Sequence, residues 1–440
     1  MPVLLVVTAL VVQAGALAQA PALATGQTAP GEAPLAITLK DAIERARAIN
    51  PQVQSAIISA QLAREDRVQA KAGLLPTLNY FNQYIYTQAN GTPSGVFVAN
   101  DGIHVYNSQG LVHGDLFAPG KRADYQRAIA ADAVARAKAE IAARGLIATV
   151  VQSFYGLVAS EKKEANARKS LQEAQQFLDI TEKQEQGGEV AHSDVVKAEI
   201  QLAQRERDAQ EAQLAAQKGR IGLAVLIFPD FRKNFTAVDD LEAKAALPPF
   251  AEIQSLAARN SPDIRAAQAA VQQEKMGVAS ARSGYLPSLS FDYFYGIDAN
   301  QFAVYNRNHQ RNLGSAAQAQ LNIPVWNWGA TRSKVRQAEL HLAQARLDLT
   351  FTQRQLLANL DSFYQEAGVS GSQVESLRHS EELASESLRL TLLRYQAGEV
   401  SVLEVVDAQS TLAQARNAYD DGLVRYRVAL ADLQTLTGNF

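Results

Sequence analysis

The 440-residue chain carries 42 Lys and Arg against 45 Asp and Glu, so no basic field points to nucleic acid. It has no cysteine, which excludes disulfides, thiol nucleophiles, Cys-ligated zinc and a lipidated N-terminal Cys together. Its six histidines (His104, His113, His192, His309, His341, His379) follow no ligand spacing. With no nucleophile–base pair and no Gly-rich phosphate loop either, the sequence argues for no enzyme, cofactor or metal site.

An apolar run from Val3 to Ala16 ends at Ala16-Leu17-Ala18, an A-x-A-type cleavage site. It is too short to span a bilayer and is interrupted by Gln13, so residues 1–18 read as a signal peptide, although no Lys or Arg precedes the run. Residues 19–36, rich in Ala, Pro, Gly and Thr, read as a flexible segment. No apolar stretch of 18 or more follows, so no transmembrane helix is expected. An exported chain of that kind is periplasmic, secreted or an outer-membrane β-barrel.

The remainder is written twice, as repeats over 37–246 and 247–440. Pro51 stands 25 residues before Pro76 of a Leu-Pro, as Pro262 stands before Pro287. Gly120 precedes Ser153-Phe154-Tyr155 at the spacing by which Gly329 precedes Ser362-Phe363-Tyr364. The block 187–204 matches 397–414, and the offset stays between 209 and 211 throughout. The Pro-containing stretch 236–250 reads as the joint.

Each repeat follows one route. A helix, about Pro51–Leu74 in the first copy, ends at Leu-Pro, since proline disfavours α conformation in the residue before it. Alternation follows: Leu78, Tyr80, Tyr84 and Tyr86 lie on one face, as do Leu289, Phe291, Tyr293, Tyr295 and Ile297 in the second copy. Polar loops over 88–104 and 298–314 lead to returning strands. One carries Ala317, Ala319, Leu321, Ile323 and Val325 against Gln318, Gln320 and Asn322; the other, around Val112, Gly114 and Leu116, is weaker. Such strands suit the core of an ordinary sheet, and equally the apolar-out, polar-in pattern of a membrane barrel, with Trp326 and Trp328 at an interfacial belt. Two strands per copy make four, too few to close a barrel, so a membrane reading demands an oligomer.

Two long proline-free helical stretches follow, Gly120 to about Gly187 and Gly329 to about Ala397, each roughly 100 Å long. In the second, Val335, Ala338, Leu342, Ala345, Leu349, Thr352, Leu356, Asn359 and Phe363 recur at coiled-coil steps. Leu340, Ala343 and Leu347 form a second seam nearly opposite, as a helix in a cylinder wall requires. The first copy is less regular, with Gln126, Arg136 and Glu140 at equivalent positions. Both stretches stop at Gly-Glu-Val turns, Gly188-Glu189-Val190 and Gly398-Glu399-Val400, and shorter helices return to about Leu226 and Leu436.

In order and spacing this layout resembles the TolC-like outer-membrane factor family over about 37–440. The resemblance implies an α+β membrane protein of duplicated repeats. Three protomers would share one 12-stranded transmembrane β-barrel, four strands from each, continuing into a periplasmic α-barrel of long coiled-coil helices. It implies a cell outer-membrane channel for efflux or type I secretion, served by a periplasmic adaptor and an inner-membrane pump or ABC exporter. The missing lipidated Cys is similar to the non-acylated branch. By resemblance Glu404 and Asp407 line the periplasmic aperture, although an acidic pair near a helix N-terminus also simply suits the helix dipole. Ser193, Asp194 and Tyr395 match gate contacts, and 187–190 with 397–400 the adaptor-docking tips. Glu399 departs from members that carry Arg there. A periplasmic coiled-coil scaffold or adaptor without a barrel is the alternative; it explains the helices but neither the strand pairs nor the duplication.

Overall fold

The computed structural model describes residues 35–87, 103–242 and 247–438. The expected signal peptide and most of the loop 88–104 lie outside the described residues. Two repeats of matched elements make up the fold. The first runs β1 (Leu35–Ile37), α1 (Leu39–Ile49), α2 (Pro51–Ala72), β2 (Thr77–Tyr86), β3 (His104–Phe117), α3 (Pro119–Gln186) and α4 (His192–Ile227). The second runs β4 (Phe235–Ala237), α5 (Phe250–Asn260), α6 (Pro262–Ser283), β5 (Ser288–Ala299), β6 (Leu313–Asn322), α7 (Ala330–Gln396) and α8 (Val402–Thr437). Corresponding helices agree in length: 11 residues for α1 and α5, 22 for α2 and α6, 36 for α4 and α8.

Local signals account for the helix starts. The prolines that mark the repeat, Pro51 and Pro262, sit at the first helical position, where a missing N–H costs nothing. Asn50 and Ser261 cap those helices through their side-chain oxygens.

Neighbouring helices run in the order α2–α3–α6–α7 near the strands and α4–α3–α8–α7 farther away. The helix α3 is therefore interior, packed on both flanks, whereas α7 and the α2/α4 pair are the outer edges. That position explains the irregular seam of α3. Its Asp132 is buried between Arg67 of α2 (2.9 Å) and its own Arg136 (3.0 Å), and Arg144 donates to the terminal carbonyls of α5 at Asn260 (2.9 Å) and of α8 at Thr435 (3.2 Å). One stretch of α3 is long and apolar enough to pass for a membrane span, contrary to the expectation of none. Its Phe154 and Leu157 are fully buried in the main core instead.

The first seam of α7 is half or fully buried along its length, from Val335 to Phe363. The second seam is not. Leu340, Ala343 and Leu347 are exposed, Leu347 by 71%. The opposite edge mirrors this with Ile200, Leu214 and Ile221 exposed on α4.

All four long strands form one antiparallel sheet, ordered β2-β3-β5-β6. The weakly signalled returning strand of the first repeat is the longest, 14 residues, because it pairs on both sides. His104, Asp298 and Gly314, expected in loops, belong to strands, while Ile323 and Val325, expected in a strand, follow the end of β6. A second, parallel pair, β1 with β4, matches Leu35 to Phe235 and Ile37 to Ala237. It corrects two expectations: Leu35 and Ala36 are not part of a flexible segment, and the joint between repeats begins as a strand. The joint is also bolted down, with Lys162 on Asp239 (3.0 Å) and Arg427 on Asp240 (3.3 Å).

Leu360 is 1% exposed in the cluster that joins α5, α7 and α8. Leu360→Ala should cost about 2–5 kcal/mol in denaturant unfolding of the detergent-solubilised protein. Burial alone raises the Asp432 pKa. A carboxyl raised above its unfolded value supports folding most when protonated, and that support is lost as pH rises through the folded value. Asp432→Asn should therefore stabilise the protein at neutral pH and give no gain in acid, read as thermal midpoints across pH.

Candidate functional site at the helix tips and the sheet faces

Two regions hold the residues that the sequence singled out. At the tips, α3 and α7 end in matching Schellman turns. Gly188 (φ 75°) and Gly398 (φ 74°) take the left-handed conformation, which a Cβ disfavours. Glu189 N donates to Gln184 O (2.8 Å) and Gly188 N to Glu185 O (2.8 Å); the second tip repeats both bonds one repeat later. Val190 and Val400 tuck against the apolar cluster of Phe177, Leu178, Leu388 and Val402, which fixes both turns to the helices. Glu189 and Glu399 stay exposed. Glu399 meets Arg394 of its own tip (3.4 Å), so the charge that departs from the resembled pattern is answered locally.

Tyr395 is the residue that joins the two tips. It is 2% exposed, its ring lies 5.2 Å edge-on to Phe177 of α3, and its hydroxyl donates to Thr181 of α3 (3.3 Å). Burial foremost, with the nearby charge of Asp194, raises its pKa, so it remains a neutral donor. Asp194 itself pairs with Lys197 (3.0 Å) on α4. Ser193 is exposed and is not brought into this group. Thr181 was not foreseen. Its spacing of seven from Ala174, on the buried stripe of α3, was the available signal.

Glu404 and Asp407 lie exposed on one face of α8, one turn beyond the tip. Glu404 accepts a bond from the backbone N of Ser401 (3.3 Å), so it also steadies the helix start. Asp407 remains exposed to solvent.

Register sorts the sheet into two faces. Leu78 aligns across β3 with Tyr293, and Tyr80 with Tyr295; with Tyr84, Leu289 and Phe291 these share a single face. The opposite face is mostly polar. One row reads Thr77, His113, Asp292, Gln318, and others hold Asn79, Gln109, Asp115 and Asp298. Within it His113 Nδ1 lies 2.6 Å from Asp292, a cross-repeat pair hidden from the sequence because it depends on register. Phe81, Ile85, Val105, Leu111 and Phe294 are its large apolar exceptions. Trp326 and Trp328 stand exposed beyond β6, edge-on at 5.9 Å, where Trp328 (φ 54°) and Gly329 (φ 82°) turn the chain into α7. Among the described residues no cluster of ligands for a metal ion occurs.

Ala at 398 would meet open space yet keep a positive φ. Gly398→Ala should therefore cost about 1–2 kcal/mol locally, seen as faster amide exchange in 393–402 with the strands unaffected.

Comparison with known proteins agrees with this geometry. Alkaline protease secretion protein AprF of Pseudomonas aeruginosa is 21% identical over 92% of this chain and 85% of its own length. Pyoverdine export outer membrane protein OpmQ of the same organism is 25% identical over 91% of this chain and 83% of its own. The Campylobacter jejuni CmeC outer membrane channel superposes with a TM-score of 0.81 at 18% identity, covering 91% of this chain and 85% of that one, which establishes the fold. The model of the outer membrane efflux protein family matches residues 42–227 and again 253–439. The chain belongs to the outer membrane efflux protein family.

Proposed function

We propose that three copies of this chain close head to tail into a continuous duct from the periplasm to the exterior. One observation carries this reading: the sheet has two unpaired edges, β2 and β6, and each edge leads into a helix edge with its own exposed apolar stripe. An edge strand in lipid would leave backbone groups without partners, so β6 of one copy must meet β2 of the next. The same rotation lays the second seam of α7 against α2 and α4 of that neighbour. Two copies would give eight strands, an interior filled by side chains; three give twelve and room for a passage. Leu78, Tyr80, Tyr84, Leu289, Phe291, Tyr293 and Tyr295 then face lipid, and the row through Asp292 faces the lumen.

At the other end, Glu404 and Asp407 of three copies bring six carboxylates around one axis. Such a ring attracts cations and repels anions at a narrow entrance. Tyr395 on Thr181 holds the two tips of each copy together, and separating them belongs to opening. The tips at 188–190 and 398–400 are the docking points for a periplasmic adaptor, which couples the duct to an inner-membrane pump or exporter. Relatives named for protease secretion and for pyoverdine export both align along nine-tenths of this chain, so the duct is read here without a fixed cargo. The protein acts as a conduit and performs no chemistry on what passes.

The purified protein should migrate on a denaturing gel as a heat-dissociable trimer, and in planar bilayers it should conduct weakly with cation preference. Glu404→Gln with Asp407→Asn should shift the reversal potential in a salt gradient toward zero. An unchanged potential would remove these residues from the entrance, and a monomer that never conducts would sink the duct.

A further inference from the structure

The loop between β5 and β6 carries chemistry that the duct does not use. From Ala299 to Ala338 the chain has no Asp or Glu, yet Arg307, His309 and Arg311 fall within five residues. All three are exposed, and no ion pair engages either arginine among the described residues. The loop is nonetheless built to a shape. Asn306 N donates to Gln310 O (2.8 Å), and the Asn306 side-chain oxygen accepts from Asn308 N (2.9 Å) and Gln310 N (2.8 Å). Tyr305 and Arg311 pair as an antiparallel bridge, and Asn312 Nδ2 ties back to Ala303 O (2.9 Å).

Its direction is the second observation. Phe302 lies 6.4 Å from Tyr106, and Tyr106 lies 4.9 Å from Tyr84. Tyr106 pairs with Tyr84 across the β2–β3 ladder, on the face that also bears Leu78, Tyr80 and Tyr293. The root of the loop thus leans on the outward face of the sheet and does not fold across the polar face. The helices all leave the sheet at its other end, so a periplasmic helical body puts this loop at the outer leaflet.

We infer that residues 302–311 form a docking surface for the phosphorylated glycolipid of the outer leaflet, lipid A. Arg307 and Arg311 are its phosphate ligands, and Phe302, Val304 and Tyr305 its apolar rim. The inference rests on the membrane orientation proposed above. A guanidinium meets phosphate through two parallel hydrogen bonds, and an aromatic rim beside cations suits the boundary between headgroup and acyl chain. Near an anionic surface each such cation strengthens attachment about fivefold.

The test uses the full-length protein in phosphatidylcholine vesicles containing lipid A, lipid A stripped of its phosphates, or phosphatidylglycerol. After extraction in mild detergent, co-purifying lipid is counted by native mass spectrometry. The wild type should retain lipid A well above the other two. Arg307→Ala with Arg311→Ala should lower that retention about tenfold or more, while Arg307→Lys with Arg311→Lys keeps the charge and part of the binding. Equal retention by the alanine pair, or equal retention of phosphatidylglycerol by the wild type, would overturn the inference. Conductance from the same vesicles reports insertion separately: lipid lost with conductance kept counts against the docking surface, whereas silence counts against the duct on which it rests.

Discussion

A β-strand edge is a row of unmet N–H and C=O groups, and hydrocarbon supplies nothing to meet them. In this chain the constraint acts at two places, the free sides of β2 and β6, and much of the architecture serves their closure. The strands lie in an unbroken antiparallel ladder, so the two edges are left at opposite limits of one sheet. Each edge strand is continuous with a helix on its own side: α2 enters β2, and β6 is followed by α7. Joining the strands of neighbouring copies therefore brings their helix edges together as well. In the proposed trimer, membrane closure and the periplasmic wall are one geometric event.

The two repeats are alike in elements and unlike in circumstance, and their sequences record the difference. The interior helix α3 meets the second repeat within its own chain. It can bury Asp132 against two arginines and use Arg144 to satisfy the carbonyl ends of α5 and α8. Fixed partners permit such polar specialisation, since a buried charge is tolerable only where its partner is guaranteed. On its outer side the edge helix α7 has no such partner among the described residues of its own chain. Its outer seam is made of Leu340, Ala343 and Leu347, undirected apolar contacts that need only a complementary surface.

The sequence was most legible where periodicity and punctuation coincide. Pro51 and Pro262 mark helix starts, Gly188 and Gly398 mark helix ends, and the alternation from Leu289 to Ile297 gives β5 its faces directly. It was least legible where an element is defined by its partners. The first-repeat strand β3 carries Gly110, Gly114 and scattered polar residues, and pairing on both sides, not propensity, holds it for 14 residues. The β1–β4 pair joins three-residue segments 200 positions apart, too short for any local pattern. At the tips the sequence pointed to Tyr395 and Asp194, but their surroundings waited on packing. Thr181 emerged as the hydroxyl partner, Lys197 as the counter-charge, and Ser193 as a residue outside the group.

The tips also set the scale of what must act on them. Their turns are locked to the helices by paired Schellman bonds and by Val190 and Val400 in the apolar cluster, so each hairpin end behaves as a rigid piece. Between the hairpins the Tyr395–Thr181 bond is single, with a net worth of about 1 kcal/mol. The edge-on contact with Phe177 adds about as much. Parting them also exposes Tyr395, Phe177 and their apolar neighbours to water, a larger cost than either polar contact. In the proposed duct, a partner that opens the entrance must therefore bind the open tips more tightly than the closed ones by more than this sum, since equal affinity for both moves no equilibrium. In that proposed duct, exposed Glu189, Glu404 and Asp407 give the tips an acidic surface on which such a difference can act. A complementary basic partner gains most where opening redistributes those charges. On that reading the apolar latch is the resistance and the acidic rim the handle.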